Sequence, residues 1–296
     1  MANEYLTYDQ VGKKEDVSSI ITLLSPSDTP FTSMIKSEKV SARVFEWQED
    51  ALPNAADNKQ LEGGAFTNVA RTPTTMRTNN TQILSDVFEV SATADSVALH
   101  ARAKESAYQL AKALKSIKRD LEFAYVGQAN AKVAGNATTA REMDSATTQI
   151  STTVDAGANA TDAMTEAKLL ELGEDCFNNG SDPSVFMIKP ADAQIVSGFT
   201  GAAGRNRTIN DGAKTLVNAI DLYVSPYGEY KVILNRHQLT THAFLIDPSM
   251  FRSCVLRPFT RTLLAKDSDG DRHAIVGEYS LKHMSYSDSG MITGLS

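Results

Sequence analysis

One long amphipathic helix dominates the pattern of the sequence. Seven apolar residues recur at alternating steps of four and three, the spacing of one buried helix face. They are Ala103, Ala107, Leu110, Leu114, Ile117, Leu121 and Ala124. The predicted helix, from Val97 to Gln128, is on the order of 45 Å long. A compact chain of 296 residues has a radius of gyration of only roughly 19 Å. The helix should therefore cross nearly the whole molecule as a spine.

The overall composition is that of an ordinary globular protein. Hydrophobic residues make up 42% of the chain and charged residues 22%, which excludes collagen-like, coiled-coil and largely disordered classes. No run reaches the roughly 18 apolar residues of a membrane helix, and Met1–Tyr5 lacks the pattern of a signal peptide. Cys176 and Cys254 are predicted to be buried thiols in a reducing compartment. We expect a soluble, intracellular protein whose net charge of −7 argues against tight wrapping of nucleic acid.

Apolar periodicity is missing between Glu49 and Asn80, where Asn, Asp, Gly and Pro are frequent. Most connections inside a compact domain are only about 4–6 residues long. The segment is therefore either disordered or an extended arm that becomes ordered against another surface. On either side, alternation predicts strands at Val40–Trp47 and Thr81–Ala92, the second with Ile83, Val87 and Val90 buried.

The remaining elements are predicted from turn residues and local periodicity. A mixed opening segment precedes the first strand, and a weakly patterned connector at 134–163 leads into a more conventional α/β portion and a final hairpin. The predicted elements are short helices at Asp16–Leu24 and from Thr29-Pro30-Phe31, a strand at Thr147–Val154, a helix at Thr165–Asn178, a strand at Ser184–Ile188, a helix opened by Pro190, a loop with Gly198, Gly201 and Gly204, strands at Ile220–Val224, Tyr230–Leu234 and Ala243–Ile246, and a hairpin of Leu256–Lys266 with Arg272–Ser285.

The acidic turn near the C-terminus superficially resembles a calcium loop. Asp267, Asp269 and Asp271 alternate, and Glu278 follows eleven residues after the first. The position that requires glycine is Arg272, and both flanks are predicted strands, so we expect a solvated hairpin turn. His237 and His242 have no metal-binding spacing, and no nucleophile-elbow or phosphate-loop motif is present.

Charged pairs elsewhere give no support for catalysis. Glu49/Asp50, Glu174/Asp175 and Asp95 cannot be distinguished from solvated carboxylates by sequence. A row of lysines on the predicted helix either faces nucleic acid or, more commonly, is a solvated face or pairs with acidic groups of a neighbour. The row consists of Lys112, Lys115 and Lys118. We predict no catalytic, cofactor-binding or metal-binding residue and no enzymatic activity.

The ordered set of elements and several motifs resemble the major capsid proteins of tailed bacteriophages with the HK97-like fold. The opening resembles the "TPF…WQED.L" pattern of one family of these proteins, and the similarity runs in order from about residue 15 to 296, weakly at 134–163. The stretches that carry it are Ser27–Ser33, Phe45–Leu52, Asn80–Ile83, Phe88–Thr93, Ile117–Glu122, Ile246–Pro248, Leu256–Pro258, Leu264–Lys266 and Gly277–Leu281. The hairpin tip departs from the more common Thr-Gly-Asp, which changes only a turn.

The resemblance implies an α+β chain divided into four regions. Residues 1–48 would be the N-arm, and 49–85 the extended loop that lies over a neighbouring subunit. Residues 86–163 and 256–296 would form the peripheral domain with its spine helix, and 164–255 the axial domain. A loop that cannot bury itself needs a partner, and an oligomer of identical chains supplies one.

The same resemblance implies a function and a set of partners. The protein would assemble into pentamers and hexamers of an icosahedral shell around double-stranded DNA, bound without sequence specificity and without a cofactor or a membrane. Because the similarity begins near residue 15, we expect a separate scaffolding protein, together with a portal and minor or cement proteins. Assembly would take place in the host cytoplasm and the product would be the virion capsid. One lysine of the loop, Lys59, leaves a covalent crosslink open, but we expect a non-covalent shell.

Two other functions remain open from the sequence. An encapsulin-type nanocompartment would have the same shell fold but enclose enzymes rather than a genome. A soluble α/β enzyme is the alternative from a different class. Nucleic acid content of purified particles separates the first from a phage capsid, and a small monodisperse species would favour the second.

Overall fold

The computed structural model describes residues 28–53, 55–65, 71–97, 104–157, 162–199, 222–266 and 268–295. The predicted helix at Asp16–Leu24 and the glycines Gly201 and Gly204 lie outside these ranges. The helices are α1 (Pro30–Met34), α2 (Ala92–Ser96), α3 (Glu105–Val126), α4 (Ala146–Gln149), α5 (Glu166–Asn178) and α6 (Ala193–Ser197). The strands are β1 (Lys36–Lys39), β2 (Val44–Glu49), β3 (Thr75–Asn80), β4 (Gln82–Ser91), β5 (Thr152–Asp155), β6 (Val185–Ile188), β7 (Leu222–Ser225), β8 (Gly228–Leu234), β9 (Ala243–Ile246), β10 (Phe251–Leu263), β11 (Gly270–His283) and β12 (Gly290–Thr293).

The predicted spine helix is α3, but it is shorter than expected. Its 22 residues span about 33 Å. Val97 has an extended backbone and caps α2, so the predicted start there is wrong. Ala103 lies outside the described residues, and Ala107 and Leu114 are exposed rather than buried. Ala113 is buried in their place, because the buried face is rotated by part of a turn toward Ile117 and Leu121.

The first sheet has the strand order β1-β10-β11-β4, and α3 lies across one of its faces. The predicted C-terminal hairpin is confirmed, since β10 and β11 pair antiparallel from Phe251↔His283 to Leu263↔His273. Ala113 and Ile117 of α3 pack with Ile275 of β11.

Strand β4 is confirmed, but the predicted buried face is wrong at two of three positions. Val90 is buried, whereas Ile83 and Val87 are 50% and 48% exposed. Leu84 and Phe88 face the helix instead. Because side chains alternate along a strand, an assignment that is one residue out places the wrong set inside.

The strand predicted at Val40–Trp47 is confirmed only from Val44 onward, since residues 40–43 belong to no strand. Strand β1 ends at Lys39 and pairs parallel with β10, and β2 begins only at Val44. Strand β2 pairs antiparallel with β3, so residues 75–80 of the segment predicted to lack structure form a strand. The polar sequence of β3 hides it from a hydrophobic pattern. Between the two strands, the described residues contain no helix or strand.

The second sheet has the order β5-β12-β9-β6-β8-β7. Its central strands β6 and β9 are buried at every position, which confirms the predictions for Ser184–Ile188 and Ala243–Ile246. Helix α5 begins after Thr165, whose hydroxyl accepts a hydrogen bond from the Lys168 N–H, again as predicted. Strands β7 and β8 match the remaining predicted strands to within two residues, and a 3-10 turn at Pro190–Asp192 leads into α6.

The strand predicted at Thr147–Val154 is half wrong. Residues up to Gln149 form α4, and the strand begins at Thr152. The hydroxyl of Thr147 donates to the Gln128 carbonyl, a local polar bond that competes with strand pairing. Strands β5 and β12 lie outside 164–255 yet extend the sheet built from that range. The four-region division remains a prediction.

Candidate assembly surface

The base of the long loop, strands β2 and β3, is held by a partly buried ion pair. The Glu49 carboxylate accepts hydrogen bonds from Arg77 Nε at 2.6 Å, the Tyr286 N–H at 2.9 Å and the Ser285 hydroxyl at 3.2 Å. Burial raises the pKa of Glu49, but these three donors and the Arg77 charge outweigh it, and the pKa lies below its ordinary value. This loop base is therefore attached to the turn after β11.

Aromatic and amide groups add to this attachment. The Arg77 guanidinium lies 4.2 Å from the centre of the Tyr286 ring. Trp47 is buried, with the Phe45 ring stacked 5.7 Å away and the Tyr286 ring tilted at 6.4 Å. Asn79 Nδ2 donates to the Leu281 carbonyl at 2.6 Å, and its Oδ1 accepts from the Asp144 N–H at 2.8 Å. The loop base thus has a defined direction relative to the sheet.

Beyond this base, the outer loop (the described residues among 50–65) projects large apolar side chains into solvent. Leu52 is 93% exposed and Leu61 is 85% exposed. A tight turn joins the Gly64 N–H to the Leu61 carbonyl at 3.0 Å, and Gly63 adopts a positive φ of 74°. Among the residues that the structure describes, Lys59 pairs with Asp57, two residues away, and both are exposed. The loop base is attached to the rest of the chain, whereas the two leucines beyond it are exposed. Large exposed apolar side chains of this kind are typical of a surface that packs against a partner.

The arm start, residues 28–35, is anchored inside the molecule instead. Pro30 has no N–H, and the next two N–H groups of α1, those of Phe31 and Thr32, each donate to the Glu122 carboxylate at 2.8 Å. The Thr32 hydroxyl and Asn235 Nδ2 also donate to it, at 2.5 Å and 2.7 Å. Glu122 is fully buried on α3. One carboxylate therefore joins the arm, the spine helix and the residue after β8.

The arm start also fills the core. The Phe31 ring is fully buried and makes edge-to-face contacts with Phe251 at 5.4 Å and Tyr125 at 6.1 Å. The helical turn predicted at Thr29-Pro30-Phe31 is confirmed. The role of Glu122 was not predicted, because its partners are 90 to 113 residues away and no local motif marks them.

Glu278, the glutamate at the calcium-loop spacing that was not expected to bind metal, makes structural contacts. Glu278 lies within β11, where it accepts from Arg141, from Arg257 Nε at 3.0 Å and from the Thr81 hydroxyl at 2.7 Å. The turn after β10 joins two strands, and Asp271 pairs with Lys266 at 2.7 Å. The hairpin interpretation is confirmed over the residues that the structure describes.

The other candidate groups are not brought together into a site. Cys176 and Cys254 are free and buried, and burial raises the pKa of their thiols to about 11 and about 12. Asp95 accepts from the Ser106 N–H at 3.1 Å at the start of α3, and Glu174 accepts from the Tyr227 hydroxyl at 3.4 Å. Among the described residues, no three His, Cys, Asp or Glu side chains cluster so as to hold a metal, and no helix could span a membrane.

Solved structures with this fold are shells. The structure "Capsid of native GTA particle computed with C5 symmetry" matches with a TM-score of 0.69 and 11% identity, covering 100% of both chains. A structure of Gordonia phage Cozz matches with a TM-score of 0.63 and 13% identity over 96% of this chain and 91% of that one. The holo-SrpI encapsulin of Synechococcus elongatus PCC 7942 matches more weakly, with a TM-score of 0.58 and 10% identity over 100% and 97%. The fold is the HK97-like capsid fold.

Sequence comparison identifies the family. The family model described as "SU10 major capsid protein" matches residues 3–296. The major capsid protein of Escherichia phage Phieco32 is 31% identical over 343 residues, which covers 99% of this chain and 97% of that protein. The chain belongs to the SU10 major capsid protein family, and the resemblance to phage major capsid proteins is confirmed. The phage capsid function therefore takes precedence over the encapsulin and the enzyme.

Proposed function

We propose that this protein assembles with copies of itself into pentamers and hexamers of an icosahedral shell that encloses double-stranded phage DNA. The observation that carries the proposal is the outer loop, whose Leu52 and Leu61 are almost fully exposed although the loop base is attached by Glu49 and Arg77. Burying a leucine side chain contributes about 1.5–3 kcal/mol, which an isolated chain forgoes here. A neighbouring copy that covers the loop would bury these leucines and so gain this free energy.

Contact between a loop and a different surface of the next copy is heterologous, and such contacts close into rings when the rotation per copy fits. Rings of five and six copies are the units of an icosahedral shell. In this arrangement residues 1–48 act as the N-arm, 49–85 as the extended loop, 86–163 with 256–296 as the peripheral domain, and 164–255 as the axial domain.

The remaining partners belong to the same proposal. A separate scaffolding protein would guide assembly in the bacterial cytoplasm, and a portal and minor or cement proteins would complete the particle. The shell is non-covalent, because an isopeptide bond needs a desolvated acid, whereas the carboxylate that pairs with Lys59, Asp57, is exposed. The protein is structural rather than catalytic, and the DNA is held without sequence specificity.

The test is expression of the full chain with and without the phage's scaffolding protein, followed by negative-stain electron microscopy. We expect uniform icosahedral shells only with the scaffold. Shells of one correct size from the chain alone would contradict the separate scaffold, and a monodisperse small species in both conditions would contradict shell formation. A ladder of covalent multimers on a denaturing gel would contradict the non-covalent shell.

A variant pair tests the outer loop itself. Leu52→Ser with Leu61→Ser should abolish shells, because hydroxyl groups remove the apolar area that docks. Leu52→Met with Leu61→Met keeps that area and should assemble normally. Particles from infected cells should contain nuclease-protected DNA, whereas particles filled with host enzyme and free of DNA would favour the encapsulin function.

A further inference from the structure

The outward face of α3 carries a row of lysines that the fold leaves uncovered. Lys112, Lys115 and Lys118, here called the lysine row, are all exposed, while Ala113 and Ile117 on the opposite side pack against β11. Steps of three residues keep the three ammonium groups on one side of the helix over about 9 Å of its length. None of the three forms an ion pair with any residue that the structure describes.

The lysine row contrasts with the charge of the whole chain. The protein has a net charge of −7, yet the seven residues from Lys112 to Lys118 contain three lysines and no acidic residue. The residue just before the row, Ala111, is small and exposed. A uniformly basic strip on an acidic protein attracts a polyanion.

The chemistry of the strip favours a phosphate backbone over a protein partner. Lysine is depleted in protein–protein interfaces, where buried aromatic and arginine anchors dominate. A lysine is a flexible point charge suited to phosphate contacts that do not depend on base sequence. We propose that the lysine row lines the inside of the shell and contacts the phosphates of the packaged double-stranded DNA. This inference rests on the proposed function.

Such a contact is weak for each copy and sensitive to salt. Three phosphate contacts release counterions with a slope of about −2.7 in log K against log salt. Between about 50 mM and about 200 mM salt, the part of the affinity due to the row falls about 40-fold. Many copies then hold DNA against the wall while each contact exchanges freely, which is compatible with packaging and release.

The test uses the full chain dissociated from shells, with random-sequence duplex DNA and poly-glutamate as the probes. Lys112→Gln, Lys115→Gln and Lys118→Gln together form the row variant. The matched control is Lys36→Gln, Lys39→Gln and Lys231→Gln, because these lysines are also exposed and the change in net charge is identical. Binding is followed by fluorescence anisotropy at several salt concentrations, and shell formation by each protein is checked by electron microscopy.

We expect the slope for DNA to become shallower by about 2–3 in the row variant and to stay unchanged in the control. Equal loss in both variants would reduce the effect to net charge and overturn the inference. Binding of poly-glutamate to the row as tight as that of DNA would assign the row to an acidic protein instead. Wild-type chain that forms no shells contradicts the proposed function, whereas shells with an unaltered slope in the row variant contradict only this inference.

Discussion

The arm start and the outer loop expose their apolar side chains to opposite degrees. Phe31 of the arm start is fully buried between Tyr125 and Phe251, whereas Leu52 of the outer loop is 93% exposed. The arm start obtains its order from its own chain, through a buried carboxylate and an aromatic cluster. The outer loop has neither in the described residues, and under the proposed function a neighbouring copy covers it. The difference separates what the single chain stabilises from what assembly stabilises.

The largest effect should follow from emptying the aromatic pocket of the arm start. Phe31→Ala removes a fully buried ring and should lower the free energy of unfolding of the dissociated protomer by about 3–5 kcal/mol. Urea unfolding followed by tyrosine and tryptophan fluorescence measures it. Phe177→Ala, at an exposed position on α5, is the matched control and should cost less than about 1 kcal/mol. Equal costs would show that the arm start is not part of the core.

The second effect is a pH dependence of stability that arises at the end of β11, near the loop base. His283 is buried and stacked on Phe251 at 4.1 Å, and burial lowers the pKa of its imidazole from 6.5 to about 4. Because the folded pKa is depressed, the stability from neutral His283 is complete above pH 6.5 and is lost as pH falls toward 4, by roughly 3 kcal/mol in total. Its ring lies 6.0 Å from Tyr286, which holds Glu49 and Arg77.

The titration of Asp288 has the opposite effect on the pH dependence of stability. Burial raises the pKa of its carboxyl from 3.8 to about 6, with Asp247 and Asp182 adding to the shift. Its contribution to stability is complete below pH 3.8 and is lost as pH rises through 6, so it partly cancels the effect of His283. Relative to wild type, Asp288→Asn should lose more stability between pH 6.5 and 4, and His283→Gln should lose less. Urea midpoints measured across this range would contradict the assignment if both variants kept the wild-type profile.

The third effect concerns the carboxylate of the arm anchor. Glu122→Gln keeps the size of the side chain, but a neutral NH₂ group replaces one carboxylate oxygen. It then meets either the Phe31 and Asn235 donors at Oε1 or the two Thr32 donors at Oε2. We expect a loss of about 2–3 kcal/mol, since hydrogen bonds to a charged group contribute about 1.5–3 kcal/mol each and only one acceptor remains. Limited proteolysis should then cut near Thr29 to Thr32 faster than in wild type.

The exposed Glu229 on β8 provides the control for this change. Glu229→Gln should leave both stability and proteolysis as they are in the wild type. If Glu122→Gln were as stable and as protease-resistant as this control, the carboxylate would not be what holds the arm start.

Elements with a strong local pattern were predictable, and long-range polar contacts were not. The strands β6 and β9, helix α5 and the terminal hairpin follow from apolar runs and caps in the sequence itself. Strand β3 was missed because its residues are polar and show no apolar alternation: Arg77 pairs with Glu49 of β2, and Asn79 donates to the Leu281 carbonyl. The outward faces of Ile83 and Val87 were missed because alternation alone does not say which side of a strand is covered.

For the candidate assembly surface too, some features were predictable from the sequence and others were not. That the described residues between β2 and β3 contain no helix or strand was predictable from the absence of periodicity. The Glu122 anchor was not, because sequence does not reveal that a carboxylate on α3 meets an arm 90 residues earlier. Local sequence patterns therefore indicated which segment lacks regular structure. The contacts that hold the arm start could be recognised only in the folded structure.

The smallest effect should come from the outer loop in the dissociated protomer. Leu52→Ser with Leu61→Ser should change the free energy of unfolding by less than about 0.5 kcal/mol, because both side chains are already in water in the single chain. The same variant should fail to form shells, so stability and assembly separate in one protein. Phe31→Ala should have the opposite effect, because it lowers the free energy of unfolding of the protomer itself, before any neighbour is present. If the serine variant destabilised the protomer as much as Phe31→Ala does, the leucines would pack within their own chain, and the outer loop would have no apolar area to offer a second copy.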